Sequence, residues 1–165
     1  MIDKFNIYEQ FMDKTDRNII RALQKNARMT NQELADTVNL SPSPCLRRVR
    51  ALEHEGIIRS YTLEVDNEAF GLPVTVFVRV QLEKHTQAVV AHFETKIKEQ
   101  ENVLECFVMT GRADYLLKVV VKDLHDYENF VRHSLHSIGS IASIDTSFAY
   151  GVVKKTTLLP DHHIA

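Results

Sequence analysis

Ser43, Arg47, Arg50 and His54 recur at spacings of four, three and four residues, which places them on one side of a helix. The stripe holds two guanidinium groups and no carboxylate. Such a stripe can read DNA. An arginine fork spans the O6 and N7 acceptors of guanine, a serine hydroxyl donates to a base edge or a phosphate, and the free N–H groups of a helix's first turn receive a phosphate. Arg48 falls beside the stripe, where a phosphate contact suits it better than a base contact. Thr30, Asn31 and Ser41, at the starts of the second and third helices, complete the candidate DNA-facing set. The competing reading is a solvated face whose arginines pair with Glu53 or Glu55. A helix-turn-helix used only for protein contacts is a further possibility, and the lack of acid on the stripe argues against it.

Catalytic and metal-binding chemistry have weaker support. Of the eight histidines, His85, His92 and His125 are dispersed along the chain. No Ser/His/Asp order, phosphate-cradling glycine loop or His-Glu-x-x-His occurs, so no catalytic residue is expected and the chain does not read as an enzyme. His133-x-x-His136 and the pair His162-His163 leave open a metal-responsive, histidine-based DNA-binding regulator. Solvent-facing histidines are the plainer account, and no metal site or cofactor is expected. Cys45 and Cys106 are too few for a disulfide framework and lack metal-finger spacing, so both read as small core residues.

Three helices must position the arginine stripe. Asp13 or Thr15 can cap the first, whose Ile19, Ile20 and Leu23 recur at helical spacing up to Asn26. The second opens with a capping box, Thr30 with Glu33, and runs about two turns through Leu34, Ala35 and Val38. After the tight turn Asn39-Leu40-Ser41, Ser41 can cap a third helix with Pro42 at its first position and Gly56 at its end. Cys45, Val49 and Leu52 point from it towards the first two. This is a helix-turn-helix pattern.

After Gly56 the period changes. Ile57–Val65 reads as extended and Asp66–Pro73, with Gly71, as a connector. Val74, Val76, Val78, Val80 and Leu82 alternate with Thr75, Phe77, Arg79 and Gln81, a strand with one buried face. A helix with Val90, Phe93 and Ile97 follows, then strand Val103–Met109, a turn at Gly111 and strand Tyr115–Val121. The next helix is expected to put Leu124, Tyr127, Val131, Leu135 and Ile138 on one face. A last strand is expected over Ile141–Val153, with Ile144, Thr146, Phe148, Tyr150 and Val152 on a shared side. The order βαββαβ is that of a ferredoxin-like split sheet whose second face is left bare, which predicts self-association. The expected class is α+β. It comprises an arm over 1–12, a winged helix-turn-helix over 13–60, a linker strand and connector over 61–73, the ferredoxin-like domain over 74–153 and a tail over 154–165.

Charge agrees with two jobs. The 165 residues hold 20 Lys+Arg against 22 Asp+Glu, a net charge of −2 that by itself speaks against nucleic acid. Up to Ser60 there are 10 basic and 8 acidic residues, net +2; beyond it 10 and 14, net −4. The balance averages two different halves. With 44% hydrophobic residues the chain can build a core, which excludes whole-chain disorder. No apolar run exceeds four residues, and Met1–Phe11, with Asp3 and Glu9, lacks a signal peptide's apolar stretch. A soluble, cytoplasmic protein is expected.

The stretches Asp13-Lys-Thr-Asp16, Leu23-Gln24-Lys25, Leu34-Ala35 and Leu40-Ser-Pro-Ser-Pro-Cys-Leu46, followed by Arg47-Arg48-Val49-Arg50, together resemble the Lrp/AsnC, or feast/famine, transcription regulators. The likeness continues through Gly111-Arg-Ala-Asp-Tyr-Leu-Leu117 to Lys154-Lys-Thr-Thr-Leu-Leu-Pro160. It implies double-stranded DNA as a partner and control of genes of amino-acid metabolism or transport. It also implies homodimers formed through their sheets, which assemble further into tetramers or octamers, with an amino-acid effector bound between dimers. A zwitterion needs an anion for its ammonium and N–H groups for its carboxylate. Asp114 would supply the first, and the backbone around Thr110, Gly111 and Ala113 the second. Tyr115 belongs to the same motif, and Met109 and Phe148 would line the side-chain pocket. The alternative is a plain hairpin turn in which Gly111 supplies an unusual φ and Asp114 caps its own backbone. Arg112 departs from the acidic residues common in the family at this turn.

Overall fold

The computed structural model describes residues 12–160, which divide into two compact units, 12–63 with 154–160 and 64–153. Most of the expected arm and the His162-His163 pair lie outside the described residues.

In the first unit, Asp13 rather than Thr15 caps helix α1 (Lys14–Lys25). Its carboxylate accepts the Asp16 N–H at 2.8 Å, and the Asp16 carboxylate accepts the Asp13 N–H at 3.1 Å. Thr30 and Glu33 do the same for α2 (Asn31–Thr37). Asn39 turns the chain at φ 56°, a left-handed conformation that asparagine tolerates. α3 (Pro42–His54) then starts with its proline; Ser41 occupies the cap position, but its hydroxyl makes no capping bond. Ile19, Ala22, Leu34, Ala35, Cys45 and Leu52 form the core, with Val49 packed against it. A Leu52 buried this completely contributes about 2 kcal/mol of transfer free energy. The segment after α3 is not the strand expected over Ile57–Val65. Ile57 and Ile58 both donate to the Leu52 carbonyl at 3.0 Å, so they close the helix instead of pairing with a neighbouring strand.

The second unit contains β1 (Val74–Leu82), α4 (Gln87–Lys98), β2 (Val103–Val108), β3 (Tyr115–Val121), α5 (Leu124–Asn129) and β4 (Ile141–Phe148). The sheet is antiparallel in the order β2-β3-β1-β4. Val76, Val78, Val80 and Leu82 of β1 join Leu117, Val119 and Val121 of β3 over Phe93, Ile97, Tyr127, Phe130, Leu135 and Ile138. The alternate residues Phe77 and Arg79, with Leu116, Lys118 and Phe107, share the opposite face, on which Phe77 and Phe107 are exposed.

Three expectations change here. α5 continues as a π-helical turn over Phe130–Leu135 before His136–Ile138. Leu124, the first residue of the helix, is 66% exposed, while Phe130, at the start of the wider turn, takes a core position. β4 ends at Phe148 rather than Val153, because β1 begins at Val74 and its Thr75 carbonyl makes the last contact, with the Ala149 N–H. Cys106 is exposed, since β2 is the edge strand, whereas Cys45 is buried as expected.

Candidate functional site

On α3, Ser43, Arg47, Arg50 and His54 are all exposed, and Cys45 and Leu52 are buried on the opposite side. Among the described residues, neither Arg47 nor Arg50 has a carboxylate partner. Glu53, one of the two expected partners, accepts the Tyr61 hydroxyl at 2.9 Å. Burial and that carboxylate push the Tyr61 pKa up to about 12. Two guanidinium forks thus stand unneutralised on one ridge, held by a packed underside.

Arg48 does something else. Its guanidinium bonds Asp13 and Asp16 at 2.8 Å each, tying α3 to the cap of α1. The two bonds hold its own pKa above the ordinary value, Asp16 first, and the Asp13 carboxyl lies low because it accepts the Asp16 N–H and then Arg48. Arg48, expected at a phosphate, thus commits its Nη1 to an internal ion pair. Thr30 is likewise engaged, as the cap of α2. The Asn31 amide donates to the Pro42 carbonyl at 2.9 Å, bracing the turn between α2 and α3. Of the expected set, Ser41, Ser43, Arg47, Arg50 and His54 present their side chains to solvent without such ties.

The turn expected to hold an effector lies between β2 and β3. Met109 N–H donates to the Asp114 carbonyl at 2.8 Å and Asp114 N–H to the Val80 carbonyl at 2.9 Å. The Asp114 carboxylate accepts the Leu82 N–H and meets the His85 ring, both at 2.7 Å. The Leu82 N–H first, and then His85, hold its pKa below the usual carboxylate value. His85 had no local signal, since only the fold brings it to Asp114. Gly111 sits at φ 109°, which other residues rarely adopt. Among the described residues, the N–H groups of Gly111, Arg112 and Ala113 meet no acceptor within the chain. Arg112 is exposed, as is Thr110.

Two expected pocket residues are not at this turn. Tyr115 is buried under the sheet, its ring 4.5 Å from Phe93 and its hydroxyl donating to Glu94. Phe148 pairs with Val76, whereas the turn is fastened at Val80 and Leu82. That separation along β1 is about 13–20 Å at the rise of a strand, so within one chain Phe148 cannot wall the pocket; it packs edge-on against Tyr127 at 5.3 Å. His133 and His136 gain no further donor, because the described residues hold no metal-capable group of three or more His, Cys, Asp or Glu. No helix is long and apolar enough to cross a membrane.

A helix-turn-helix with a bare basic ridge, joined to a split α+β sheet with an open turn, is the architecture of a DNA-binding protein with a second, ligand-binding domain. Comparison agrees. A winged helix-turn-helix DNA-binding model matches residues 12–59, and the Lrp/AsnC ligand-binding domain matches 75–159. The Bkd operon transcriptional regulator of Pseudomonas aeruginosa is 44% identical over 138 residues, covering 84% of this chain and 90% of that one. The leucine-responsive regulatory protein of Escherichia coli is 34% identical over 159 residues, covering 96% and 97%. A transcriptional regulator from Neisseria meningitidis, solved with L-Met, superposes with a TM-score of 0.88 at 38% identity, covering 93% and 99%. The chain belongs to the Lrp/AsnC family; it is a DNA-binding transcriptional regulator with a ligand-binding domain, and not an enzyme.

Proposed function

We propose that this protein recognises specific DNA sequences through Arg47 and Arg50, that an amino acid modulates its DNA affinity or assembly, and that its targets serve amino-acid metabolism or transport. The observation that supports this most directly is the unpaired, acid-free ridge on α3. Guanidinium groups without internal partners keep their forks available for guanine. The free N–H groups at Gly111, Arg112 and Ala113 suit the effector's carboxylate. Asp114 keeps acceptor sites beyond the two it uses, and its side chain is 25% exposed, so it can still receive an ammonium. The L-Met complex of the Neisseria relative and the leucine response in the name of the Escherichia coli relative favour an apolar amino acid. Phe77, Phe107 and Leu116 on the uncovered sheet face support a homodimer joined through its sheets, with tetramers or octamers beyond it.

A mobility shift on the DNA upstream of the protein's own gene, titrated with salt, tests the DNA half. Affinity should fall steeply with salt as counterions are released. No retardation at low salt would refute it. Thermal shift against the twenty amino acids tests the other half: one or a few should raise the melting temperature, because a ligand of the native state stabilises it.

A further inference from the structure

The first unit holds a pocket of about 520 Å³ between α1, the residues after α3 and the tail. Arg17, Arg21 and Arg59 line it together with Ile20, Leu23 and Ile58, and among the described residues no aspartate or glutamate does. The tail forms one wall and is fastened to α1, with Arg21 Nη1 donating to the Leu159 carbonyl at 3.0 Å and Gln24 Nε2 to the Thr157 carbonyl at 2.9 Å. Arg17 has no such use: its Nε–H is buried without a hydrogen-bond partner, the one such side-chain atom among the described residues. A buried donor on a charged group is costly to leave unmade, and native proteins give such a group an acceptor. Among the described residues nothing in the lining can neutralise it. Arg21 spends only one of its five donors on the tail.

We propose that this pocket binds a small organic anion, a carboxylate on an aliphatic body. The carboxylate would meet Arg17 and the remaining Arg21 donors, and the aliphatic part would cover Ile20, Leu23 and Ile58, which are only partly buried. The volume falls within the range of small-molecule sites, about 300–1,000 Å³. A bare phosphate would satisfy the arginines and leave the apolar wall wet. The pocket shares no lining residue with the α3 ridge or the turn at Gly111, so its test does not depend on the function proposed above.

Hexanoate titrated into the full-length protein and followed by ligand-observed NMR, with hexylamine and inorganic phosphate in parallel, decides the matter. Hexanoate should bind saturably, phosphate more weakly and hexylamine not at all. Arg17→Gln should weaken hexanoate about tenfold or more, as expected for one lost charge-assisted bond. Arg21→Gln gives an independent reading if Arg17→Gln fails to fold, and Lys84→Gln, in the other unit, should change nothing. Phosphate binding as tightly as hexanoate would overturn the aliphatic part. No saturable hexanoate binding, or full affinity in the arginine variants, would overturn the site.

Discussion

Replacing Arg48 by methionine keeps the apolar stem and removes the guanidinium that joins α3 to the start of α1. Asp16 is the sensitive partner: its side chain is 10% exposed and lies 2.8 Å from Arg48. A charge-assisted bond to a group so little hydrated contributes about 1.5 kcal/mol after allowance for the partly open arginine. The bond to Asp13, whose side chain is 52% exposed, adds about 0.5 kcal/mol. The sum, about 2 kcal/mol, should lower the melting temperature of the first unit by about 8–16 °C, at about 4–8 °C per kcal/mol for a domain of this size. Differential scanning calorimetry of the full chain reads this directly. The pH dependence carries a sign. Asp13 has a folded pKa held below its ordinary value of 3.8, so its contribution is present above that value and is lost as the pH falls through the lower, folded one. The Asp13 share of the gap between wild type and Arg48→Met, about 0.5 kcal/mol, should therefore be present at neutral pH and be lost under acid. Below the variant's transition, its DNA binding should keep the wild-type salt slope. An unchanged melting temperature together with a salt slope lower by about 0.9 would show that Arg48 holds a phosphate and that the internal ion pair is wrong.

Other consequences follow from the same contacts. Arg47→Ala or Arg50→Ala should cost about 1–3 kcal/mol of DNA binding and relax sequence choice; equal weakening on all sequences in mobility shifts would reassign the residue to phosphate. Leu135→Ala, at a fully buried position, should destabilise the second unit by about 2–4 kcal/mol in urea unfolding, whereas Leu124→Ala should fall within about 0.5 kcal/mol. Similar losses for the two would mean that α5 packs without its π-helical turn. Asn31→Ala should lower stability by about 1 kcal/mol through the lost bond to Pro42 and leave specific DNA affinity intact at low temperature; the reverse pattern would place Asn31 on DNA. Asp114→Asn weakens the grip on Leu82 and His85 and should flatten the stability–pH curve below about 3.8, because the folded carboxyl titrates under its ordinary value. If that curve keeps its shape, Asp114 is not fastened as described.

Much of the fold is legible from local pattern alone. Helix caps lie within three residues of what they cap, so Thr30 with Glu33 could be read directly and Asp13 stood as one of two candidates. The alternation of β1 and the inward side of α3 follow from the fixed periods of strand and helix. The ridge of Ser43, Arg47, Arg50 and His54 was visible for the same reason: it is one face of one element. Arg48 shares that helix, but its partners stand 32 and 35 residues away, and no local spacing signals them. The same limit hid His85 from Asp114, 29 residues on. It also hid the distance between Phe148 and the turn, since strand register is settled by which strands pair. The orphaned Arg17 and its acid-free pocket needed the tail to return to α1. Sequence by itself determined most of the elements, the inward sides of β1 and α3, and the basic ridge, because those depend on neighbours along the chain. Tertiary structure alone decided which charges are spent inside the protein and which remain for a ligand, because ion pairing depends on distances of a few ångströms between residues far apart in sequence.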